Sequence, residues 1–154
     1  MQGSAASGGP PRLTSGFLVD TNVLSEYNRG DRTAAGVNRW LEKTPQKLQF
    51  VSVMTLAEVQ KGIELLAEGR RKNQLHQWLK NDLEAWFSER ILLVDRRVGE
   101  RWATLVAGRQ RAGRTLPMVD SLIAATALVH DLTVVTRNTR DFEGSGIATL
   151  NPWL

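Results

Sequence analysis

Cysteine is absent from the 154 residues. That excludes disulfide staples and thiolate metal sites, and it makes a reducing cytoplasm the simplest location. Histidine occurs only twice, as His76 and His130, which leaves little for a histidine-based nuclease. His76 falls in a tryptophan-rich helical pattern and His130 at a helix end beside Asp131, positions that suit solvation or capping. No apolar run approaches the ~20 residues of a membrane-spanning helix. The N-terminal stretch has no apolar core of the kind a secretion signal needs. No run fits a phosphate-cradling P-loop. Residues 1–16, "MQGSAASGGPPRLTSG", offer almost nothing to bury and read as a flexible leader or an expression scar.

What is present fits one domain over 17–154. A chain of this length buries roughly 70% of its unfolded surface and needs no staple. The net charge of +4 and a pI of about 10.0 invite an anionic partner such as nucleic acid. Four short apolar runs have the branched character of buried strands: 17–19, 48–53, 91–94 and 133–136, with a fifth near 147–150. Helical patterns separate them, at "VLSEY", 34–43, 55–67, 71–89 and 96–112. Another begins at Pro117, which suits a first helical turn. Thr55 to Glu58 has the form of a capping box opening the third of these. The alternation predicts an α/β fold: a doubly wound, mostly parallel sheet of four to five strands flanked by helices.

On that frame four carboxylates stand out. Asp20 ends strand 1, in "FLVDTN". Glu58 lies early in the helix after strand 2, Asp120 near the start of the helix before strand 4, and Asp141 just after strand 4. In a parallel sheet the carboxyl ends of the strands share one edge, where such folds bind ligands. A helix running back to feed a parallel strand starts at that same edge, so Asp120 can join the other three. Four converging carboxylates repel one another unless a cation sits among them. An all-oxygen donor set favours a hard ion, Mg²⁺ or Mn²⁺. Each acid also has an ordinary structural reading: a turn or cap for Asp20, the capping box for Glu58, a helix-dipole partner for Asp120, a cap for Asp141. Their joint placement on one edge favours chemistry for the set. Asp95 is the contrasting case, ending a strand without acidic company, and reads as an N-cap. Thr21, Asn22, Thr136 and Asn138 stand beside these acids and either orient them or satisfy turn backbone.

The segments "FLVDTNVLSE", "VSVMTLAEVQKGIELL", "MVDSLIAATALVHDLTVVTRNTRDFE" and "NPWL" resemble PIN-domain ribonucleases, and more narrowly the VapC/FitB-type toxins of bacterial toxin–antitoxin modules. The resemblance spans about 17–154. It implies metal binding by Asp20, Glu58 and Asp120, with Asp141 as the more variable fourth acid, and a site between the first and fourth strands. It also implies Mg²⁺- or Mn²⁺-dependent endoribonuclease activity, with RNA phosphodiesters hydrolysed by metal-activated water. Homodimerisation and inhibition by a cognate antitoxin that also binds DNA complete the implied picture.

Arginines crowd 90–114, and "AGRQRAGRTLP" leads directly into the Asp120 helix. Arg114, Arg137 and Arg140 are the candidate RNA contacts, against the alternative of a solvated helix face. Leu56, Ile63, Leu66, Trp78, Leu83 and Trp86 form either core or a groove for an antitoxin's amphipathic segment. Trp153 either packs on the sheet or serves a dimer surface. Two rival functions remain. One is a metal-dependent phosphohydrolase or phosphotransfer domain with Asp20 as nucleophile. Asn22 stands where haloacid-dehalogenase-like enzymes carry a second aspartate, and Thr136-Arg137 lacks the lysine of receiver domains. The other is an idle nucleic-acid- or protein-binding module.

Overall fold

The computed structural model describes residues 13–154; most of the stretch read as a leader lies outside them. Its C-terminal end belongs to the fold. The Thr14 hydroxyl shares a hydrogen bond of 2.7 Å with that of Thr133, and the Ser15 amide donates to the Asp131 carbonyl.

Five strands form one parallel sheet: β1 (Gly16–Val19), β2 (Gln49–Ser52), β3 (Ile91–Leu92), β4 (Leu132–Val135) and β5 (Thr149–Leu150). Their spatial order is β3-β2-β1-β4-β5. Leu18 pairs with Phe50 on one side and Val134 on the other. Strand periodicity then sends alternate side chains to opposite faces. Val19 and Val135 enter one core with Val23, Val51, Leu56 and Phe87. Leu18 and Val134 enter a second with Ile123, Ala124, Ala127 and Phe142. Both faces are buried, which is why the strands are continuous apolar runs.

The helices are α1 (Thr21–Leu24), α2 (Ala35–Lys43), α3 (Val53–Glu64), α4 (Arg70–Gln77), α5 (Glu84–Phe87), α6 (Arg96–Arg111) and α7 (Met118–His130). No helix among the described residues is long and apolar enough to cross a membrane. Asp95 caps α6 as expected, its carboxylate accepting from the Val98 amide.

Two expectations are corrected. The capping box at Thr55–Glu58 does not exist: Ser52 caps α3, accepting from the Met54 amide at 3.0 Å. Thr55 is buried inside the helix, its hydroxyl without a hydrogen-bond partner, and Glu58 falls on the second turn. The single helix expected over 71–89 is interrupted by a π-helical turn at Trp78–Leu83. That wider turn lets Leu79, Leu83 and Phe87 all bury in one core, and an apolar 3–4 spacing does not distinguish it from a regular helix.

A carboxylate centre at the sheet's switch point

β1 lies between β2 and β4, so the chain's winding reverses across the β1–β4 pair. Chains leaving such neighbours diverge and open a crevice at their carboxyl ends. Asp20 follows β1 directly, and Thr136 follows β4. The Asp20 amide donates to the Val135 carbonyl at 2.9 Å, which ties the two strand ends together.

Asp20 is buried, and both of its oxygens are held. One accepts from the Thr21 amide at 2.8 Å, which caps α1. The other accepts from the Thr136 hydroxyl at 2.7 Å. The cap reading of Asp20 is therefore met. The Thr21 hydroxyl donates to Glu58 at 2.9 Å, linking the second acid to the first. Asn22 accepts from the Arg137 amide at 3.1 Å, and its NH₂ stands 3.4 Å from the Thr136 hydroxyl. Of the four polar neighbours, Thr21 and Thr136 bond the acids themselves, and Asn22 braces the turn after β4. Asn138 enters through its backbone, its amide donating to Thr136 at 3.0 Å; its side chain makes no cap.

Asp120 sits in the first turn of α7, half-buried. Next to it the Trp102 indole donates to Ser121 at 2.8 Å, fixing α6 against the start of α7. The Asp120 carboxyl is pushed up to about 6, first by burial and then by the charges of Asp20, Asp141 and Glu58. The sheet edge thus brings Asp20, Asp141 and Glu58 within electrostatic reach of Asp120. Among the described residues none of the four is ion-paired. Nor do any three stand close enough to form a ready-made ligand cluster. Asp120 feels the repulsion of the other three.

The arginines divide. Arg90, at the head of the basic stretch, is structural: it donates to the carbonyls of Gln46, Gln49 and Trp86 and lies over the Trp86 ring. Arg137 turns toward the Trp153 ring, 4.9 Å from its centroid, and Trp153 packs against the core. Arg114 and Arg140 line a cavity with Asp141. Arg109, until now one of the arginines crowding 90–114, lines it too. Its signal was a position five residues before Arg114, on the same basic helix end.

Leu56 is a core residue; Leu83 is core too and, with Trp78 and Trp86, lines a separate cavity. Leu66 and Trp78, with Val59, Ile63 and Leu75, line a cavity of about 610 Å³ that reaches Thr21 and Glu58 and carries Arg29, Arg32 and Arg71. His76 stands 3.7 Å from Glu64, away from the carboxylates.

An all-parallel sheet with acids gathered at its switch point defines a class of protein, and residues 17–144 match the PIN domain. The chain belongs to the PIN-domain family. It is 37% identical over 140 residues to the toxin FitB of Neisseria gonorrhoeae, covering 89% of this chain and 98% of FitB. It is 30% identical over 137 residues to the VapC ribonuclease Y4jK of Sinorhizobium fredii, covering 89% and 97%. Its fold superposes on FitAB bound to a DNA fragment with a TM-score of 0.82 at 35% identity, covering 90% of this chain and 96% of the other.

Proposed function

We propose that this chain is a divalent-metal-dependent endoribonuclease, the toxin of a toxin–antitoxin pair. The observation that carries the reading is the Asp120 carboxyl, raised by burial and by the charges of Asp20, Asp141 and Glu58, while neutral hydroxyl and amide donors hold Asp20 and Glu58. A raised carboxyl beside three others is a site arranged for a cation. The donors fit Mg²⁺ or Mn²⁺, being all oxygen, with Asp20, Glu58, Asp120 and Asp141 to hold the ion. When bound, the ion supplies water activation and neutralises charge at a phosphodiester.

The chain's own residues prepare that event. Thr136 and the Thr21 amide hold the Asp20 carboxylate in a single orientation, and Thr21 sets Glu58 relative to it. The α6–α7 contact through Trp102 and Ser121 sets the height of Asp120. Histidine has no part: His76 lies on α4, and His130 closes the end of α7 opposite to the one that carries Asp120. Purified protein, freed of partner, is expected to cut single-stranded RNA with Mg²⁺ and to be silenced by EDTA. Failure to cut any RNA at millimolar Mg²⁺ or Mn²⁺ would overturn the reading. A phosphotransfer domain would instead show a labelled protein, lost in Asp20→Asn.

The antitoxin reading rests on FitB and on the FitAB complex as relatives. Its amphipathic segment would take the cavity lined by Leu66 and Trp78, whose mouth opens at Glu58. A basic side chain of that segment would be drawn to the acids by Coulomb attraction. Homodimerisation belongs to the same proposal, and sedimentation of the purified chain tests it.

A further inference from the structure

At Asp141 the chain folds a further polar cavity. Its volume is about 440 Å³, and Arg109, Arg114 and Arg140 line it with Thr115, Pro117 and Asp141. Arg109 and Arg114 also face a neighbouring hollow under Gly108 and Gly144. The arrangement is built rather than incidental. Arg109 donates through one guanidinium nitrogen to the Glu143 carbonyl at 2.9 Å, which anchors the end of α6 to the turn after β4. Its Nε is buried with no hydrogen-bond partner. The Arg114 amide reaches back to the Arg109 carbonyl at 2.8 Å, so the loop that follows α6 curls over. Gly144 has φ +78, and a Cβ there would meet the Arg114 guanidinium at 3.0 Å. The turn is therefore shaped to leave Arg114 its place. Neither Arg114 nor Arg140 has a side-chain hydrogen bond or ion pair among the described residues.

A third feature adds positive character. Pro117 stands at the N-cap of α7, which has no side-chain cap, and it lines this cavity. The first amides of a 13-residue helix and its dipole point there. Glu143 is the opposing charge, and Asp141 faces both this cavity and the carboxylate centre. The three arginines outnumber these two acids.

We infer that this cavity is a backbone-phosphate subsite, taking a phosphate of single-stranded RNA that neighbours the one being cut, with Arg114 and Arg140 as its free donors and Arg109 as its positioning residue. The inference rests on the proposed RNA substrate and deepens it: RNA must extend past the Asp141 side of the centre to bind well. It also separates Arg114 and Arg140 from Arg137, which the Trp153 ring occupies. Guanidinium forks suit phosphate oxygens, and each contact to a single strand adds about 0.7 to the slope of log affinity against log salt.

The test is fluorescence anisotropy of a labelled single-stranded RNA of about 12 nucleotides on the full chain, with EDTA present to halt cutting, from 50 to 300 mM salt. Arg114→Gln with Arg140→Gln should weaken binding at least tenfold at the lowest salt and flatten the slope by about 1.4. Arg114→Lys should keep the slope while losing part of the affinity. Arg70→Gln, the loss of one charge on exposed α4, should leave the slope unchanged where each subsite charge flattens it by about 0.7, and thermal melting should show every variant folded. An unchanged slope in the double variant, or an equal flattening in Arg70→Gln, would overturn the subsite. Wild-type protein that binds RNA with the steep slope yet cuts none with Mg²⁺ would overturn the nuclease reading alone. Wild type that cuts RNA while the double variant keeps full affinity would overturn the subsite alone.

Discussion

Asp20 is held by two donors of different origin, a helix-capping amide and a hydroxyl from the neighbouring strand's end. Removing the hydroxyl leaves a buried carboxylate oxygen unsatisfied, which costs about 1–3 kcal/mol. Thr136→Val should therefore lower stability by that amount in urea unfolding and reduce RNA cutting roughly 10–100-fold, as losses of groups that orient ligands do. Asp120 behaves in the opposite sense. Its carboxyl sits at about 6 in the folded chain against a reference of 3.8. Between those values the folded state holds the proton more tightly than the unfolded state, so stability falls as pH rises through that window. At neutral pH without a divalent ion, Asp120 is a liability. Discounted for its partial exposure, the penalty is about 1 kcal/mol. Asp120→Asn should abolish cutting, yet raise the melting temperature at pH 7 by about 2–4 °C, an advantage that shrinks toward pH 4. A variant that cuts at the wild-type rate would remove Asp120 from the site. The positions of Asp20 and Asp120 were legible in the sequence because one follows a strand and the other opens a helix, whereas Glu58 falls on the second turn of α3. Arg109 was not, because a basic helix end looks the same whether its guanidinium meets solvent or a carbonyl.

At the level of elements, the strands were readable where branched apolar runs are buried on both faces, and their ends were off by one or two residues. The helix starts were harder. Thr55 and Glu58 satisfy the spacing of a capping box, but Ser52 lies three residues earlier, at the end of β2, and takes the cap. Sequence spacing cannot rank two candidate caps; the strand's last hydrogen bond does. The pair makes a direct test. Ser52→Ala should cost about 1 kcal/mol. Thr55→Val, which replaces an unpartnered buried hydroxyl with a methyl, should be neutral or stabilising in the same denaturant assay. The π turn at Trp78–Leu83 was invisible for a related reason, since regular and widened turns share the same apolar spacing. Gly36 shows how closely elements meet elsewhere: a Cβ there would collide with the Pro152 carbonyl and the Trp153 backbone, so α2 sits directly on the last residues of the chain.

For the whole molecule, a cation that binds the folded state and not the unfolded one stabilises by mass action, by about 2.7 kcal/mol at 100 times its dissociation constant. Differential scanning fluorimetry should show Mg²⁺ or Mn²⁺ raising the melting temperature by about 5 °C or more, EDTA reversing it, and Asp20→Ala abolishing it. Unchanged melting in wild type would sink the cation reading. The parallel pairing of β1 with β4 sets a further condition. Gly16 aligns with Leu132 and Val19 with Val135, so Asp20 waits for a hydroxyl encoded 116 residues later. A nascent chain still attached to its ribosome thus carries the first acid long before anything can hold it in place. Biosynthesis itself delays assembly of the centre, and fragments that end before β4 should be harmless to the cell that makes them.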